Sequence, residues 1–280
     1  MNVIRDLTWS GSRVLVIALG LLFVTAIGGC GDSERELTLT GSSTVAPLAS
    51  QIAKQYERDH PNVRIEVQAG GSSRGITDAR RGTADIGMAS RALTGKDGEL
   101  RAHTIARDGI ALIVHEDNPT DKLSRQQVID LYTGEVDNWH AVGGADAPAT
   151  IVNKSAGRAT LEVFLNYFEM TNEQVEPDMV IGHNQEAIKA VAGNPNAIGY
   201  VSIGVAEYEQ ANGTPIKRLP IQGVAASSEN VADGSYPMTR PLNFVTDDKP
   251  TGLTKQFIAY AQSQQVHDLI RSEGYVPIQR

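Results

Sequence analysis

Hydrophobic periodicity switches repeatedly between 2 and about 3.6 residues along this chain, and that alternation limits its fold more than any other feature. Val63, Ile65, Val67 and Ala69 alternate with Arg64, Glu66 and Gln68, as in a half-buried strand. Pro47–Arg58 sets Leu48, Ile52 and Tyr56 on one helical face, with Pro47 suited to a first turn. Leu161, Phe164, Leu165 and Phe168 stand at the i, i+3, i+4, i+7 spacing of an amphipathic helix. Leu37–Thr40, Asp85–Ala89, Ile151-Val152, Ala197–Ile203 and Leu242–Thr246 read as strands, and Gly75–Arg81 and Val128–Tyr132 as helices. Ile110–Val114 is continuously apolar, as a buried parallel strand would be. One long helix is expected from about Thr251 to Ser272. The pattern predicts an α/β protein whose mostly parallel sheet carries helices on both faces. Ligands of such sheets sit where strands lead into helices.

The first 29 residues read as an address. Arg5 and Arg13 precede an uncharged run, Val14–Ile27, too short for a comfortable membrane span of ~20 residues but suited to a signal peptide. Ile27-Gly28-Gly29-Cys30 resembles a bacterial lipobox, which predicts cleavage after residue 29 and a lipid on Cys30. Residues 30–36 then form a polar tether, and the protein sits in the periplasm or on the outer face of the cell membrane. Cys30 is the only cysteine, which excludes an intramolecular disulfide and a thiolate metal cluster. The 280-residue chain carries −8; losing Arg5, Asp6 and Arg13 with the leader leaves −9. Such a surface argues against a nucleic-acid partner, and any anion must be held by a local array of donors.

Four predicted strand-to-helix loops offer such an array. They are Gly41-Ser42-Ser43-Thr44, Gly70-Gly71-Ser72-Ser73-Arg74-Gly75, Ser90-Arg91 and Gly157-Arg158-Ala159-Thr160. Each combines some of the free N–H groups, hydroxyls and guanidinium that an oxyanion requires. Taken singly, each loop is explained as well by helix capping and turn geometry. The same composition at four strand ends makes anion binding the sharper reading, provided the loops converge.

In this order the loops resemble those of the phosphate-binding proteins of ABC-type phosphate importers, in their short-chain branch. Further matching segments are Ala84-Asp85-Ile86-Gly87-Met88-Ala89-Ser90-Arg91, Tyr132-Thr133-Gly134, Asn138-Trp139, Ala197-Ile198-Gly199-Tyr200-Val201, Arg240-Pro241-Leu242 and Glu273-Gly274-Tyr275-Val276-Pro277. The resemblance spans nearly the whole mature chain. It implies a two-lobed, Venus-flytrap (type II periplasmic-binding-protein) fold with two crossovers, expected near Ile113 and Tyr236. Lobe 1 would comprise 37–112 plus 236–280, and lobe 2 would comprise 113–235. It further implies a non-enzymatic monomer without a cofactor that delivers inorganic phosphate to an ABC permease. The resemblance carries ligand roles to Thr44, the Val45 amide, Ser73, Ser90 and Thr160; from the same loops Ser43, Ala159, Arg91 and Arg158 are also expected at the ligand, the two arginines able to neutralise a dianion together. This chain departs from the family at two places. Arg91 stands where the best-studied branch has an aspartate that accepts the phosphate's proton. In the fourth loop Lys154 occupies the family's basic position, while Arg158 and Ala159 replace a serine and a glycine.

Three rival readings remain open at this level. The pocket could take another oxyanion such as sulfate, or the lipoprotein could sense rather than deliver. Gly71-Ser72-Ser73-Arg74-Gly75 also satisfies the G-x-S-x-G nucleophile elbow, with Ser73 as nucleophile and His267 as base. Too few strands precede it, and His267 falls inside a helix. The six histidines show no paired metal-ligand spacing on one helix.

Overall fold

The computed structural model describes residues 35–279, so the leader, Cys30 and most of the tether lie outside the described residues. Chain order begins with β1 (Arg35–Gly41), α1 (Val45–Asp59), β2 (Val63–Ala69), α2 (Ser72–Arg81) and β3 (Ile86–Ala89). The middle follows with β4 (Arg101–His115), α3 (Arg125–Tyr132), β5 (Thr150–Lys154), α4 (Ala159–Phe168), β6 (Met179–Ile181), α5 (Asn184–Ala192), β7 (Ala197–Ser202), α6 (Ile203–Ala211), β8 (Ile216–Leu219) and α7 (Ser228–Ala232). β9 (Thr239–Thr246), α8 (Gly252–Ala261), α9 (His267–Ser272) and β10 (Val276–Pro277) close the chain.

Strand order is β2-β1-β3-β9-β4-β7-β5-β6, with β8 and β10 also paired to β4. The β1–β2, β1–β3, β5–β6 and β5–β7 pairs are parallel, as the alternation predicts. Every pair made by β4 or β9 is antiparallel, so the sheet is mixed rather than mostly parallel. Ile110–Val114 belongs to this antiparallel β4. A continuous apolar run reports burial on both faces, not strand direction. The expected closing helix is two helices, separated by a 3-10 turn at Gln264–Val266.

Two large hydrophobic cores share the central strands. One packs α1, α8 and α9 on β1, β3, the Ile105-Ala106 part of β4, and Leu242 and Phe244 of β9. The other gathers Ile110–Val114 of β4 with β5, β7 and helices α3 to α6. The chain therefore passes from one core to the other between Ala106 and Ile110, and returns between Met238 and Leu242.

The start of α2 lies hard against the carboxyl ends of β1 and β3, and glycine makes this approach possible. A Cβ at Gly75 would stand 2.5 Å from the Thr40 carbonyl oxygen and 2.8 Å from both Gly41 Cα and the Met88 carbonyl oxygen. All three are backbone atoms that no rotamer change can move. Gly75→Ala should therefore cost about 1–3 kcal/mol of folding stability through overpacking. A lowered urea midpoint with unchanged far-UV circular dichroism is the expected result.

Candidate functional site

Strand ends and helix starts from both cores meet at one small cavity. The β1–α1 turn supplies Ser42, Ser43 and Thr44, α2 begins there with Gly71 and Ser72, and Ser90 follows β3. Arg158, Ala159 and Thr160 enter from the start of α4, with Gly182 and Asn184 from the start of α5.

Local chemistry orients these groups. Ser42 Oγ accepts the Thr44 and Val45 amides, each at 3.2 Å, and donates to Ser90 Oγ at 2.9 Å. Ser42 thus caps α1 and leaves the Thr44 hydroxyl for contacts across the cavity. Thr44 Oγ1 accepts from Asn184 Nδ2 and from Arg240 Nη2, both at 3.3 Å. Ser72 Oγ accepts the Ser90 amide at 3.1 Å.

Arg240 is the hub. Its guanidinium donates through Nε and Nη2 to Asp108 Oδ2 at 3.1 and 2.8 Å, with both side chains 1% exposed. Nη1 donates to Thr160 Oγ1 at 2.9 Å and to Ser90 Oγ at 3.3 Å. One planar fork therefore ties hydroxyls from three loops to a carboxylate on β4.

Two more cations complete the arrangement. Arg158 lies between two glycines: a Cβ at Gly71 would be 3.5 Å from Nη1, and one at Gly182 only 2.9 Å from Nη2. Arg158 Nη1 is buried and has no acceptor in the protein. A buried guanidinium donor is costly without an acceptor, and an anion in this cavity would provide one. Lys154, at the end of β5, is buried and donates from Nζ to the His183 carbonyl oxygen at 2.9 Å. Burial, then the charges of Arg240 and Arg158, push its pKa down to about 7 against the opposing pull of Glu186. Positive charge is thus concentrated at this cavity in a chain of net charge −8.

Of the residues anticipated from sequence, Ser43, Thr44, Ser90, Arg158, Ala159 and Thr160 line the cavity, and the Val45 amide is bonded beside it. Ser73 and Arg91 are not among the lining residues. α2 starts at Ser72 rather than at Gly75, and neighbouring helical residues point about 100° apart, so Ser72 takes the inward place. Ser73 instead donates its amide to the Gly157 carbonyl at 3.3 Å and its hydroxyl to Glu162 Oε1 at 3.5 Å. No imidazole is bonded to it, as a hydrolase would need. Arg91 grips Asp97 through both Nη atoms at 2.7 and 2.9 Å, and its Nε lies 2.7 Å from Glu162 Oε2. That bidentate bond is the leading reason the Asp97 pKa falls to about 2. Arg240, itself outside the lining residues, is the guanidinium bonded to the lining hydroxyls of Thr44, Ser90 and Thr160.

Sequence reasoning named no role for Arg240 or Asp108. A signal did exist: Asp108 interrupts buried strand residues, and a buried carboxylate needs a cationic partner. Ser42, Gly71, Gly182 and Asn184 were also missed as lining residues. Among the described residues, no group of three or more His, Cys, Asp or Glu side chains could hold a metal ion.

Comparison with known proteins agrees with this geometry. Residues 28–265 match the family model described as a PBP superfamily domain. A Clostridium perfringens structure described as a phosphate ABC transporter substrate-binding protein with bound phosphate superposes with TM-score 0.81. It is 32% identical, and the match covers 88% of this chain and 100% of that one. An ABC-type phosphate transport receptor from Vibrio cholerae gives TM-score 0.70 at 31% identity, covering 87% of this chain and 100% of the other. Phosphate-binding protein PstS of Bacillus subtilis (strain 168) is 28% identical over 284 residues, 95% of this chain and 93% of its own. The fold is thus the two-lobed type II fold of solute-binding proteins. The chain belongs to the PBP superfamily and, within it, to the family of phosphate ABC transporter substrate-binding proteins. Its relatives there are transport proteins, not enzymes.

The depressed Lys154 pKa has a defined consequence for the anion-free protein. Between its folded value of about 7 and its ordinary value of 10.5, the unfolded chain holds a proton that the folded chain lacks. Stability contributed through this residue therefore rises with pH across that window, by up to about 1.4 kcal/mol per pH unit. Urea unfolding at pH 7 and pH 9 should show the rise in the natural chain and a flatter profile in Lys154→Met.

Proposed function

We propose that this protein captures inorganic phosphate between its lobes outside the cytoplasm and delivers it to an ABC importer. The observation that carries the reading is the buried, unpartnered Arg158 Nη1 in a cavity ringed by hydroxyls from several loops. The phosphate bound to the Clostridium perfringens relative supports it. We assign Ser43, Thr44, the Val45 amide, Ser90, Arg158, Ala159 and Thr160 to the ligand, and add Ser72, Asn184 and Arg240. Charge-assisted hydrogen bonds contribute about 1.5–3 kcal/mol each, and micromolar affinity needs only about 8 kcal/mol net. We place lobe 1 at 37–112 plus 236–280 and lobe 2 at 113–235, limits within a few residues of where the hydrophobic core changes.

A second reading, a sulfate-like oxyanion, draws on one observation: no aspartate or glutamate lines the cavity. Hydrogen phosphate carries a proton that needs an acceptor, and sulfate carries none. Here that acceptor would have to be a hydroxyl or a carbonyl oxygen.

Membrane attachment is proposed through a lipid on Cys30. Among the described residues no helix is long and apolar enough to cross a membrane. If the lipid on Cys30 is the attachment, Cys30→Ser should release the protein from the membrane fraction.

Titration calorimetry with phosphate, sulfate and arsenate tests the ligand. Thr160→Ala should weaken phosphate binding by about 1–2 kcal/mol through loss of one hydroxyl. Arg158→Ala should cost more, since it removes a charge as well as donors. Tighter sulfate than phosphate binding would transfer the assignment to the second reading, and unchanged affinity in both variants would remove the site.

A further inference from the structure

Glu162 lies in the first turn of α4, two residues beyond Thr160, and its neighbours Leu161, Phe164 and Leu165 belong to the core around β5 and β7. Its carboxylate reaches away from that core. Oε2 lies 2.7 Å from Arg91 Nε, and Oε1 accepts from Ser73 Oγ at 3.5 Å. Arg91 and Ser73 stand on the other side of the cavity, after β3 and in α2. Beside these contacts the Ser73 amide donates to the Gly157 carbonyl, so the same two segments are joined again through the backbone.

We infer that Glu162 is a latch across the cleft: with Arg91 and Ser73 it holds the lobes together and governs how quickly the ligand leaves. The inference rests on the anion-binding reading of the cavity. The construction suits a reversible closure. Arg91 is 11% exposed and remains fixed by its fork on Asp97, within its own lobe, whichever partner lies opposite. Glu162 is 36% exposed, so its carboxylate can return to water at small cost when the cleft opens. Arg91 is then a positioning residue. Its charge is shared between two carboxylates instead of facing the guest.

The latch and a purely electrostatic role predict opposite signs. A carboxylate near the cavity repels an anion, and it occupies a guanidinium that could otherwise serve the ligand. On electrostatics alone, removing the Glu162 charge would tighten binding and slow release. On the latch reading, Glu162→Gln weakens the ion pair that holds the cleft shut, and release becomes faster by about 1.5- to fivefold, the range of a partly exposed pair.

Phosphate-loaded full-length protein is mixed with a phosphate-scavenging system in a stopped-flow instrument, and the dissociation rate is compared for the natural chain, Glu162→Gln, Arg91→Lys and the double variant. Arg91→Lys retains the charge and loses the fork, and it too should release faster. The double variant should be no faster than the faster single variant, because the two side chains act as one unit. Slower or unchanged release in Glu162→Gln, or fully additive effects, would overturn the latch. Small-angle scattering of the anion-free proteins separates this result from the ligand assignment. If the natural chain fails to bind phosphate, a larger radius of gyration in Glu162→Gln still supports the latch, and an equal one refutes it.

Discussion

The buried pair of Arg240 and Asp108 is the constraint on which the rest of the arrangement depends. Asp108 lies on β4 and Arg240 on β9, opposite each other in register, where both strands pass between the hydrophobic cores. Taking two charges out of water costs several kcal/mol per ion, and their attraction offsets this only with good geometry and further hydrogen bonds. The guanidinium meets both conditions, while on the carboxylate Oδ2 takes both bonds and Oδ1 is buried without a hydrogen-bond partner. Two nitrogens of Arg240 face one carboxylate oxygen, while other N–H groups go to Ser90, Thr160 and Thr44. The pair therefore fixes the guanidinium at the junction and makes it a template for hydroxyls from separate loops.

Much of the scaffold was legible in the sequence because burial leaves a period. The strand at Val63–Ala69 and the helix faces of α1 and α4 follow directly from alternation and from i, i+4 spacing. Strand direction was not legible. Ile110–Val114 is apolar throughout whether its neighbours run parallel or antiparallel, and the partners that decide the matter, β7 and β8, lie about 85 to 105 residues away. The closing helix divides at the 3-10 turn Gln264–Val266, and no proline or glycine stands between Ala261 and His267 to mark the break.

The site was legible as loops and only partly as side chains. Composition identified the turns after β1, β3 and β5 correctly, because glycines, hydroxyls and cations at strand ends are visible without coordinates. Which of two adjacent residues points inward depends on helical phase, which the resemblance that carried Ser73 does not resolve; with α2 starting at Ser72, it is Ser72 that lines the cavity. Arg91 lies outside the cavity lining for a different reason. Its partner Asp97 follows six residues later on a 3-10 turn, and Glu162 reaches it from the other core. A guanidinium has no preference for a ligand anion over a well-placed carboxylate.

These placements divide labour among the cations. Lys154, Arg158 and Arg240 concentrate positive charge around the cavity in a strongly acidic chain, so attraction for an anion is local and requires the loops to be assembled. Burial holds Lys154 near the point of losing its proton, and an anion close by would favour the charged form, so occupancy and protonation should reinforce each other. Arg91 carries a comparable charge but is committed to Asp97 and Glu162 at the edge of the same cleft. On the proposed site and latch, affinity for the guest and the hold of one lobe on the other would rest on different guanidinium groups. A substitution at the rim can change how long the cleft stays closed while the donors that recognise the anion are left as they were.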